Sequence, residues 1–471
     1  MKTFALVLGV VILLSSGRLA SAADPVIVHE WGTFTCLQDE HGNAIGGINV
    51  DDEPVPQFVY EIAGTSVVSQ KADLGLPPHP PGPAVKGWIS GDPSVTMRLE
   101  TPVLYIYPPK GQSPGSVPPL DVSVQFHGGV LSQFYPFATA SGLPMNGNTP
   151  YFQSKITNQT ATGLDWKGVR LGSTQKPVIT DDKVWTTPRE VSAPLLEVHP
   201  MMKDVNGVVH DDAQVEHFLF YRGVGHVESP LRVVDQKENI EAELIGDGMG
   251  IMDYCWLVEI HPDGTCAFRY PKFLMSNSVK LPKTTSSFSG ADFKPDNLAK
   301  LRASMHDALV KEGLYPNEAT AMLKTWELSY FKSPGLRFFY IVPRAWTDKV
   351  LPLTITGAPT EITRVMVGRV ELITDAQKAA LARLSAGPCP DLAAVKQAAL
   401  TALQNSNLPK DQGDAFYSGE KPLSDLGIPI PPLVQDYLSL GRFRDALIVH
   451  EHAQHSTAAL AKFILENRLS Q

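Results

Sequence analysis

Short apolar runs separated by turns make up most of the chain between residues 24 and 290. The runs are rich in β-branched and aromatic residues, which favour strands, and they cover residues 26–35, 103–107, 122–126, 215–221, 255–260 and 265–270. Glycine and proline punctuate the gaps, and no long helical pattern separates the runs. The pattern predicts a mainly β body with an antiparallel, sandwich-like core.

The hydrophobic period changes near residue 293. Leu301, Met305 and Leu309 recur at helical spacing, Gly313 predicts the end of that helix, and Pro316 can open a second one. Strand patterns resume at residues 336–342, 350–356 and 362–373. We therefore predict a helical hairpin at about 293–332 that is inserted into the β structure.

From Thr374 the pattern is helical to the end of the chain. Thr374 can cap a first helix to residue 384, and further helices are predicted at 391–404, 432–440 and 443–469. The expected fold class is α+β. It comprises a β-rich domain at 23–373 and a helical C-terminal region at 374–471.

The first 22 residues have the pattern of a secretory signal peptide. Lys2 supplies the positive start, residues 4–14 are apolar, and Ala20-Ser21-Ala22 gives the small residues of a cleavage site. The mature chain is expected to begin near Ala23 and to be secreted or periplasmic. No later apolar run reaches the roughly 18 residues of a membrane span, so none is expected.

Charge excludes one class of partner. The formal net charge is −9, and removal of Lys2 and Arg18 with the signal peptide would make it −11. An acidic surface repels phosphate backbones, and no basic aromatic stripe offsets it locally. We expect no nucleic-acid partner.

An even number of cysteines would reach an oxidising compartment: Cys36, Cys255, Cys266 and Cys389. Residues 261–264 predict a type I turn that sets Ile260 opposite Cys266. Cys255 then lies on the other face of the ladder, which argues against a Cys255–Cys266 disulfide. Either both bond elsewhere, or Cys266 is a small buried hydrophobic residue.

Residues 450–455 come nearest to a metal motif. A zinc protease motif needs two histidines four apart with a glutamate beside the first, and Gln454 occupies the second position. Glu451 with His455 and His452 with His455 remain as pairs at ligand spacing. The simpler interpretation is a Glu–His pair at the edge of a surface helix.

The first strand predicted in the mature chain carries polar residues on both of its faces. Alternation puts His29 and Trp31 on one face, and Glu30 and Phe34 on the other. A histidine beside a tryptophan can line a ligand pocket. The simpler interpretation is a hydrogen-bonded residue of a packed face.

Charged residues flank three strongly apolar runs, 103–107, 218–221 and 338–342. They are Arg98, Glu100, Glu216, His217, Arg222, Arg337 and Arg344. Such charges suit solvated sheet rims, which is the default interpretation. They also suit polar groups that converge at one end of a sandwich, where binding loops lie.

These observations give two sets of candidate residues. The ligand-binding candidates are Trp31, Arg98, Glu100, Tyr221, Arg222, Arg337 and Arg344. The metal-binding candidates are His29, Glu30, His217, His452 and His455. A divalent metal is the only cofactor that these candidates suggest.

Several long phrases of the chain resemble an uncharacterised family of secreted bacterial proteins. The phrases are residues 29–35, which read HEWGTFT, and residues 100–107, 218–223, 313–344 and 367–374. The resemblance spans most of the mature chain up to about residue 374. It implies secretion, and it assigns no activity and no catalytic residues.

Three functions fit these patterns. The preferred one is a ligand-binding or structural module that holds an envelope or extracellular ligand. The second is an extracellular metal-assisted hydrolase with ligands drawn from His29, His127, His217, His226, Glu30, Glu100 and Glu216. The third makes the C-terminal helices a docking element for a protein partner, and the sequence predicts no oligomeric state.

Overall fold

The computed structural model describes residues 24–50, 55–63, 66–69, 84–85, 88–143, 155–200, 202–203, 209–210, 212–236, 239–246, 252, 254–271, 284–405 and 423–469. The fold combines a large multi-stranded sheet with several C-terminal helices. Helix accounts for 31% and strand for 33%, which confirms the expected α+β class. The predicted signal peptide lies outside the described residues.

The strands occur mostly before residue 270. In chain order they are β1 (Val26–Gln38), β2 (Tyr60–Ala63), β3 (Ser66–Ser69), β4 (Ala84–Val85), β5 (Trp88–Ile89), β6 (Met97–Tyr107), β7 (Leu120–His127), β8 (Gly129–Tyr135), β9 (Thr139–Ser141), β10 (Ala161–Leu171), β11 (Leu196–Val198), β12 (Met202–Lys203), β13 (Val209–His210), β14 (Gln214–Glu216), β15 (Leu219–Gly225), β16 (Leu231–Gln236), β17 (Asn239–Leu244), β18 (Cys255–Ile260), β19 (Cys266–Arg269), β20 (Thr284–Thr285), β21 (Gly335–Ile341), β22 (Leu353–Thr356) and β23 (Thr360–Leu372).

The helices lie mainly in the second half of the chain. They are α1 (Lys183–Thr186), α2 (Asn297–Lys311), α3 (Pro316–Thr325), α4 (Arg344–Val350), α5 (Asp375–Ala386), α6 (Leu392–Asn405), α7 (Pro432–Ser439), α8 (Arg444–Gln454) and α9 (Ala458–Asn467). A π-helical segment, Glu327–Lys332, follows α3. Within the described ranges, no helix combines the length and the apolar character needed to cross a membrane.

Strand β1 lies inside the large sheet. The strand order is β14-β11-β10-β8-β15-β6-β1-β23-β21-β18-β19. β1 pairs in parallel with β23 and antiparallel with β6, so the first described strand lies beside the last. Apart from β1–β23 and a single position of β8–β10, the described strand pairs are antiparallel.

Both faces of β1 are buried. On one face His29 approaches the helical hairpin, and on the other Phe34 packs 5.1 Å from Trp346 of α4, measured between ring centroids. The apolar side chains of the sheet and of the helices form one contiguous core. Side chains at alternate positions of β1 therefore point into the protein interior on both faces of the sheet, and neither face points to solvent.

The helical hairpin forms where the sequence predicts it. Leu301, Met305 and Leu309 are buried on α2, and Pro316 is the first residue of α3. Gly313 has φ of +108°, and a Cβ there would lie 3.1 Å from Cγ2 of Thr363. A side chain at this turn would therefore be strained and crowded against the sheet.

Three predicted elements are wrong in their extent. The strand predicted at 215–221 is two strands, because His217 leaves the ladder and its Nδ1 lies 2.9 Å from the carbonyl oxygen of Ala193. The strand predicted from residue 350 begins at Leu353, since Val350 ends α4. The helix predicted at 443–469 breaks after Gln454, and Thr457 caps a new helix by accepting from the backbone N–H of Leu460.

All four cysteines are unpaired. Cys266 lies opposite Ile260, which confirms the predicted turn register and the separation from Cys255. Burial raises the pKa of Cys36 and of Cys255 to about 12. Cys266 is 3% exposed, so it behaves as a small buried hydrophobic residue.

The C-terminal helices pack on the rest of the fold. The side-chain amide of Gln377 on α5 donates to the carbonyl oxygen of Leu440 at 2.7 Å, and Arg383 pairs with Asp436 of α7 at 2.7 Å. Phe443 and Leu447 belong to the same apolar core as the sheet. The packing places the turn between α7 and α8 against the end of β23 and the start of β21.

Candidate functional site

His29 is the polar residue of β1 that meets the helical hairpin. Its neighbours across the sheet are Tyr105 on β6 and Thr363 on β23. Its Nδ1 lies 2.8 Å from Oε2 of Glu318, a residue 289 positions later in the chain. Two unrelated elements therefore bring a histidine and a carboxylate together.

Glu318 is fully buried at the start of α3. Its Oε2 also accepts from the backbone N–H of Tyr315 at 2.8 Å, and its Oε1 accepts from the hydroxyl of Tyr107 at 2.6 Å. Three donors thus converge on one carboxylate, which offsets the cost of burying its charge. The first turn of a helix also favours a negative group.

The tautomer of His29 follows from this contact. A carboxylate only accepts hydrogen bonds, so Nδ1 carries the proton and Nε2 is the acceptor of the neutral ring. Among the described residues, no group bonds to Nε2, and His29 is only 4% exposed. The ring is held at one nitrogen and available at the other.

Two tyrosines form the walls around His29. The ring of Tyr315 lies 4.5 Å from the imidazole at an interplanar angle of 49°, and the ring of Tyr107 lies 5.7 Å away, edge to face. Tyr315 is 42% exposed, whereas His29 is only 4% exposed. Burial and the negative charge of Glu318 raise the pKa of Tyr107, so its hydroxyl stays a donor.

Sequence reasoning found His29 but missed Glu318, Tyr107 and Tyr315. The run Tyr315-Pro316-Asn317-Glu318 carries a recognisable signal, because proline at the first helical position and glutamate at the third mark a helix start. That signal places Glu318 on a helix. It does not show which strand the helix covers.

On the opposite face of β1, Glu30 begins a series of ion pairs with residues of neighbouring elements. Glu30 accepts from the hydroxyl of Tyr221 at 2.6 Å and from Nε of Arg364. Arg364 also donates to Asp348 at 2.9 Å, and Arg344 donates to Asp348 at 2.8 Å. The structure thus brings together the candidates Glu30, Tyr221 and Arg344, with every carboxylate already occupied by a cation.

The assignment of the flanking charges to solvated rims is wrong for most of them. Arg98, Glu100, Arg222 and Arg337 are each 2% exposed or less. The reason is that strands β6, β15 and β21 extend beyond their apolar runs, so the charged positions lie inside the sheet. Arg344 alone of the charged ligand-binding candidates is at the surface, with a side chain 44% exposed.

These buried charges have partners within the fold. Nε of Arg222 donates to Gln133, whose amide donates to Glu61 at 2.7 Å. Nε of Arg98 lies 3.1 Å from Oε1 of Glu100. They form part of the interior, and none of them offers a surface to a ligand.

Arg337 satisfies backbone carbonyls. Its terminal nitrogens donate to Ser329 at 3.0 Å and to Ser333 at 2.8 Å, and its Nε lies 3.2 Å from Glu371. Trp31 is also fully buried, 6.3 Å from the ring of Tyr105. Both candidates therefore belong to the packed interior.

The metal-binding candidates do not converge. His29 and Glu30 point to opposite faces of β1, and His217 contacts the backbone of Ala193. His455, the residue that follows α8, pairs with Glu451 at 3.1 Å. His452 lies on the same helix. In the part of the chain that the structure describes, no three His, Cys, Asp or Glu residues are grouped so as to hold a metal ion.

The other residues named as ligands for a metal-assisted hydrolase also have contacts of their own. Nδ1 of His127 lies 3.0 Å from the carbonyl oxygen of Lys349, and Nδ1 of His226 lies 2.8 Å from that of Ser94. Glu216 pairs with Arg189 at 2.6 Å. The group formed by His29, Tyr107, Tyr315 and Glu318, called the His29 site below, is therefore the best candidate site.

Comparison with protein-family models gives no match for the chain, and comparison with curated proteins gives no sequence match.

Proposed function

We propose that the protein is an exported ligand-binding module of the cell envelope and that it binds a neutral, hydroxyl-bearing ligand, such as a sugar unit, at the His29 site. One observation carries the proposal. The imidazole of His29 is fixed by Glu318 at Nδ1, while none of the residues that the structure describes bonds to Nε2, next to the half-exposed ring of Tyr315.

An acceptor that no described residue fills can take a donor from water or from a ligand. Buried polar atoms are nearly always hydrogen-bonded, to protein, water or a ligand. A hydroxyl group that reaches Nε2 would displace a water and complete the bonding of the ring. The Glu318 contact keeps the imidazole in place before the ligand arrives, which lowers the entropic cost of binding.

The walls of the site favour an uncharged ligand with an apolar face. Small-molecule sites combine aromatic surfaces with a few placed polar groups, as Tyr315 and His29 do here. The formal net charge is −9 and would be −11 after removal of Lys2 and Arg18 with the leader. A negative net charge disfavours the binding of polyanions. A sugar ring offers C–H groups to the aromatic face and hydroxyls to the imidazole.

The leader at the start of the chain supports export. The leader combines a basic start, an apolar run at 4–14 and the Ala20-Ser21-Ala22 site. The burial of the unpaired thiols of Cys36, Cys255 and Cys266 is compatible with export, because buried thiols react slowly with oxidants.

Saturation-transfer NMR tests the binding proposal. The probes are glucose, N-acetylglucosamine and their β-linked disaccharides, offered to the mature protein. We expect at least one probe to bind and Tyr315→Ala to weaken its binding about tenfold, the loss of about 1.4 kcal/mol. Tyr270→Ala is the matched control, since Tyr270 is also an exposed tyrosine at 52% and contacts Phe268 instead of His29.

Two outcomes overturn the binding proposal. One is that none of the saccharides binds. The other is that Tyr315→Ala and Tyr270→Ala change the affinity equally, because the ligand would then not lie over His29.

Export is tested separately. The full chain is expressed in a bacterium with a periplasm, and the amino terminus of the purified protein is sequenced. We expect cleavage after Ala22 and recovery from the periplasmic fraction. An intact Met1 in the cytoplasmic fraction overturns export and leaves the binding result unaffected.

The same contact favours a second candidate, an enzyme in which Nε2 of His29 accepts a proton. A carboxylate that fixes Nδ1 of a histidine is the arrangement of a general base. Incubation of a bound disaccharide followed by mass spectrometry distinguishes the two functions. Product that forms with the wild type and not with Glu318→Gln supports the enzyme, and an unchanged disaccharide rejects it.

A further inference from the structure

The sheet face that carries His29 continues toward the start of β1. Strands β1 and β23 are parallel, and their register places Ile27 beside Glu361 and His29 beside Thr363. Partners in neighbouring strands point to the same face, and so do residues two apart on one strand. Ile27, His29, Glu361 and Thr363 therefore share one face of the sheet.

Contacts on both faces agree with this assignment. The next residues of the two strands, Glu30 and Arg364, form their ion pair on the opposite face. On the face of His29, a Cβ at Gly313 of the hairpin turn would lie 3.1 Å from Cγ2 of Thr363. The turn thus lies over Thr363, whereas Glu361, two residues nearer to the start of β23, is exposed.

A row of three side chains borders the His29 site at this end of the sheet. Tyr107 on β6 lies opposite Ile27, so Tyr107, Ile27 and Glu361 are side by side on three neighbouring strands. Tyr107 and Ile27 are partly buried, and Glu361 is exposed. The ring of Tyr315 lies 5.3 Å from that of Tyr107, edge to face. The row therefore runs from the aromatic wall of the site outward to a carboxylate.

The charge of Glu361 acts on Tyr315. Burial raises the pKa of Tyr315, and the negative charges of Glu318 and Glu361 raise it further. Tyr315 is also the ring that lies 4.5 Å from the imidazole of His29. One exposed carboxylate thus lies near the aromatic ring at which we place the ligand.

We propose that Glu361 binds a second sugar unit, so that the site takes a neutral saccharide of at least two linked units. This assignment rests on the proposed function, because the first unit occupies Tyr315 and Nε2 of His29. Strand neighbours are about 4.8 Å apart and residues two apart on a strand about 6.6 Å, so the Cα atoms of His29 and Glu361 are about 8 Å apart. A ligand that continues along this face from His29 brings its next unit to the carboxylate.

A carboxylate suits the neighbouring hydroxyls of a sugar. Its two oxygens only accept hydrogen bonds, and two adjacent hydroxyls can donate one each. The C–H groups of the same unit would contact the partly buried side chain of Ile27. The negative charge of Glu361 repels acidic sugars, so the residue selects for a neutral second unit.

Affinities for a monosaccharide and its disaccharide test the proposal. The probes are glucose and N-acetylglucosamine, each with its own β-linked disaccharide, titrated into the mature protein by NMR. We expect the wild type to bind one disaccharide about tenfold more tightly than its monosaccharide. Glu361→Ala should remove this difference and leave the affinity for the monosaccharide unchanged. Glu466→Ala is the matched control, since Glu466 on α9 has a side chain 52% exposed and pairs with Lys462.

The outcomes separate this proposal from the proposed function. If no saccharide binds, both fail. If saccharides bind and Tyr315→Ala weakens them, but Glu361→Ala leaves the preference for the disaccharide intact, only the second unit is overturned. Equal losses of the monosaccharide and the disaccharide in Glu361→Ala also overturn it, because Glu361 would then contact the first unit.

The methyl signals of Ile27 provide a readout that needs no change at Glu361. They are recorded in protein with labelled isoleucine methyl groups and assigned with Ile27→Val. We expect the disaccharide at saturation to shift these signals clearly more than the monosaccharide does, because only the second unit lies on Ile27. Equal shifts with the two ligands, or no shift with the disaccharide, overturn the proposal even if Glu361→Ala does not fold.

Discussion

Glu30 and Arg364 form an ion pair between neighbouring strands inside the sheet, and each side chain is 1% exposed. The pair is the inner end of a series that continues through Asp348 to the surface. Taking two charges out of water is costly, and only a well-matched geometry offsets it. Loss of one partner therefore costs far more than the pair itself contributes.

Glu30→Gln should accordingly be strongly destabilising. We expect the free energy of unfolding to fall by about 3–5 kcal/mol, because Arg364 would remain buried without its main counter-charge. Urea unfolding followed by tryptophan fluorescence measures the change. Glu361→Gln, an exposed position on the same strand as Arg364, is the control and should change the stability by about 0.5 kcal/mol or less; equal effects would contradict a buried pair.

The two tyrosines of the His29 site should respond differently to the same substitution. Tyr107→Phe removes the hydroxyl that donates to Oε1 of Glu318 at 2.6 Å. A hydrogen bond to a charged, buried group contributes about 1.5–3 kcal/mol, and we expect a loss of stability in that range. Tyr315→Phe should be nearly neutral, since its ring is half-exposed and its main contact is with the ring of His29.

Chemical denaturation of the two variants provides the measurement. The difference between them isolates the hydroxyl of Tyr107, because both remove one oxygen from a tyrosine beside His29. A neutral Tyr107→Phe would mean that the carboxylate of Glu318 is satisfied without it.

Local patterns in the sequence predict much of the architecture. Apolar runs identify the strands around β1, Gly313 and Pro316 identify the hairpin, and Thr374 identifies the start of α5. These features depend on residues within one turn or one strand of each other. Features of this kind can be predicted from the sequence alone.

The burial of the charged residues could not be predicted from such local patterns. Arg98 and Arg222 follow the pattern of a solvated strand end, yet both are buried because the strands extend past their apolar segments and later elements cover them. Substitution of Arg222 or Trp31 to alanine would thus disturb the interior and not just a binding surface. The contact of His29 with Glu318 joins elements 289 residues apart, and no spacing rule predicts it.

Alkaline pH should weaken the fold through Cys36. Burial raises the pKa of its thiol from 9.0 to about 12, so the unfolded chain loses this proton first as the pH rises. The stabilising contribution is complete below pH 9 and declines between about pH 9 and 12. We expect the stability difference between the wild type and Cys36→Ala to shrink by about 2 kcal/mol between roughly pH 8 and 10.5.

Urea unfolding of both proteins at the two pH values gives this difference, and other titrating groups cancel in it. A difference that stays constant would show that Cys36 is accessible to water in the folded state. Alkylation offers an independent check, because Cys36 should react with iodoacetamide in denaturant and remain unmodified in the native protein.

The C-terminal helices should be part of the folded body. If they served only to dock a partner, a chain ending at residue 431 would keep the stability of the whole. Phe443 and Leu447 instead share the core of the sheet, and truncation would expose the apolar surface that they cover. We expect the truncated chain to melt at a clearly lower temperature or to aggregate.

Point substitutions make this prediction sharper, since a truncation changes many contacts at once. Phe443 is 5% exposed and Leu465 is 75% exposed, although both lie in the same helical region. Phe443→Ala should lower the free energy of unfolding by about 3–5 kcal/mol through loss of burial and the cavity left behind, whereas Leu465→Ala should change it by about 0.5 kcal/mol or less. Denaturant unfolding that reports a single transition, shifted only by Phe443→Ala, would show that the helices and the sheet unfold together; a separate early transition would show that the helices form an independent unit.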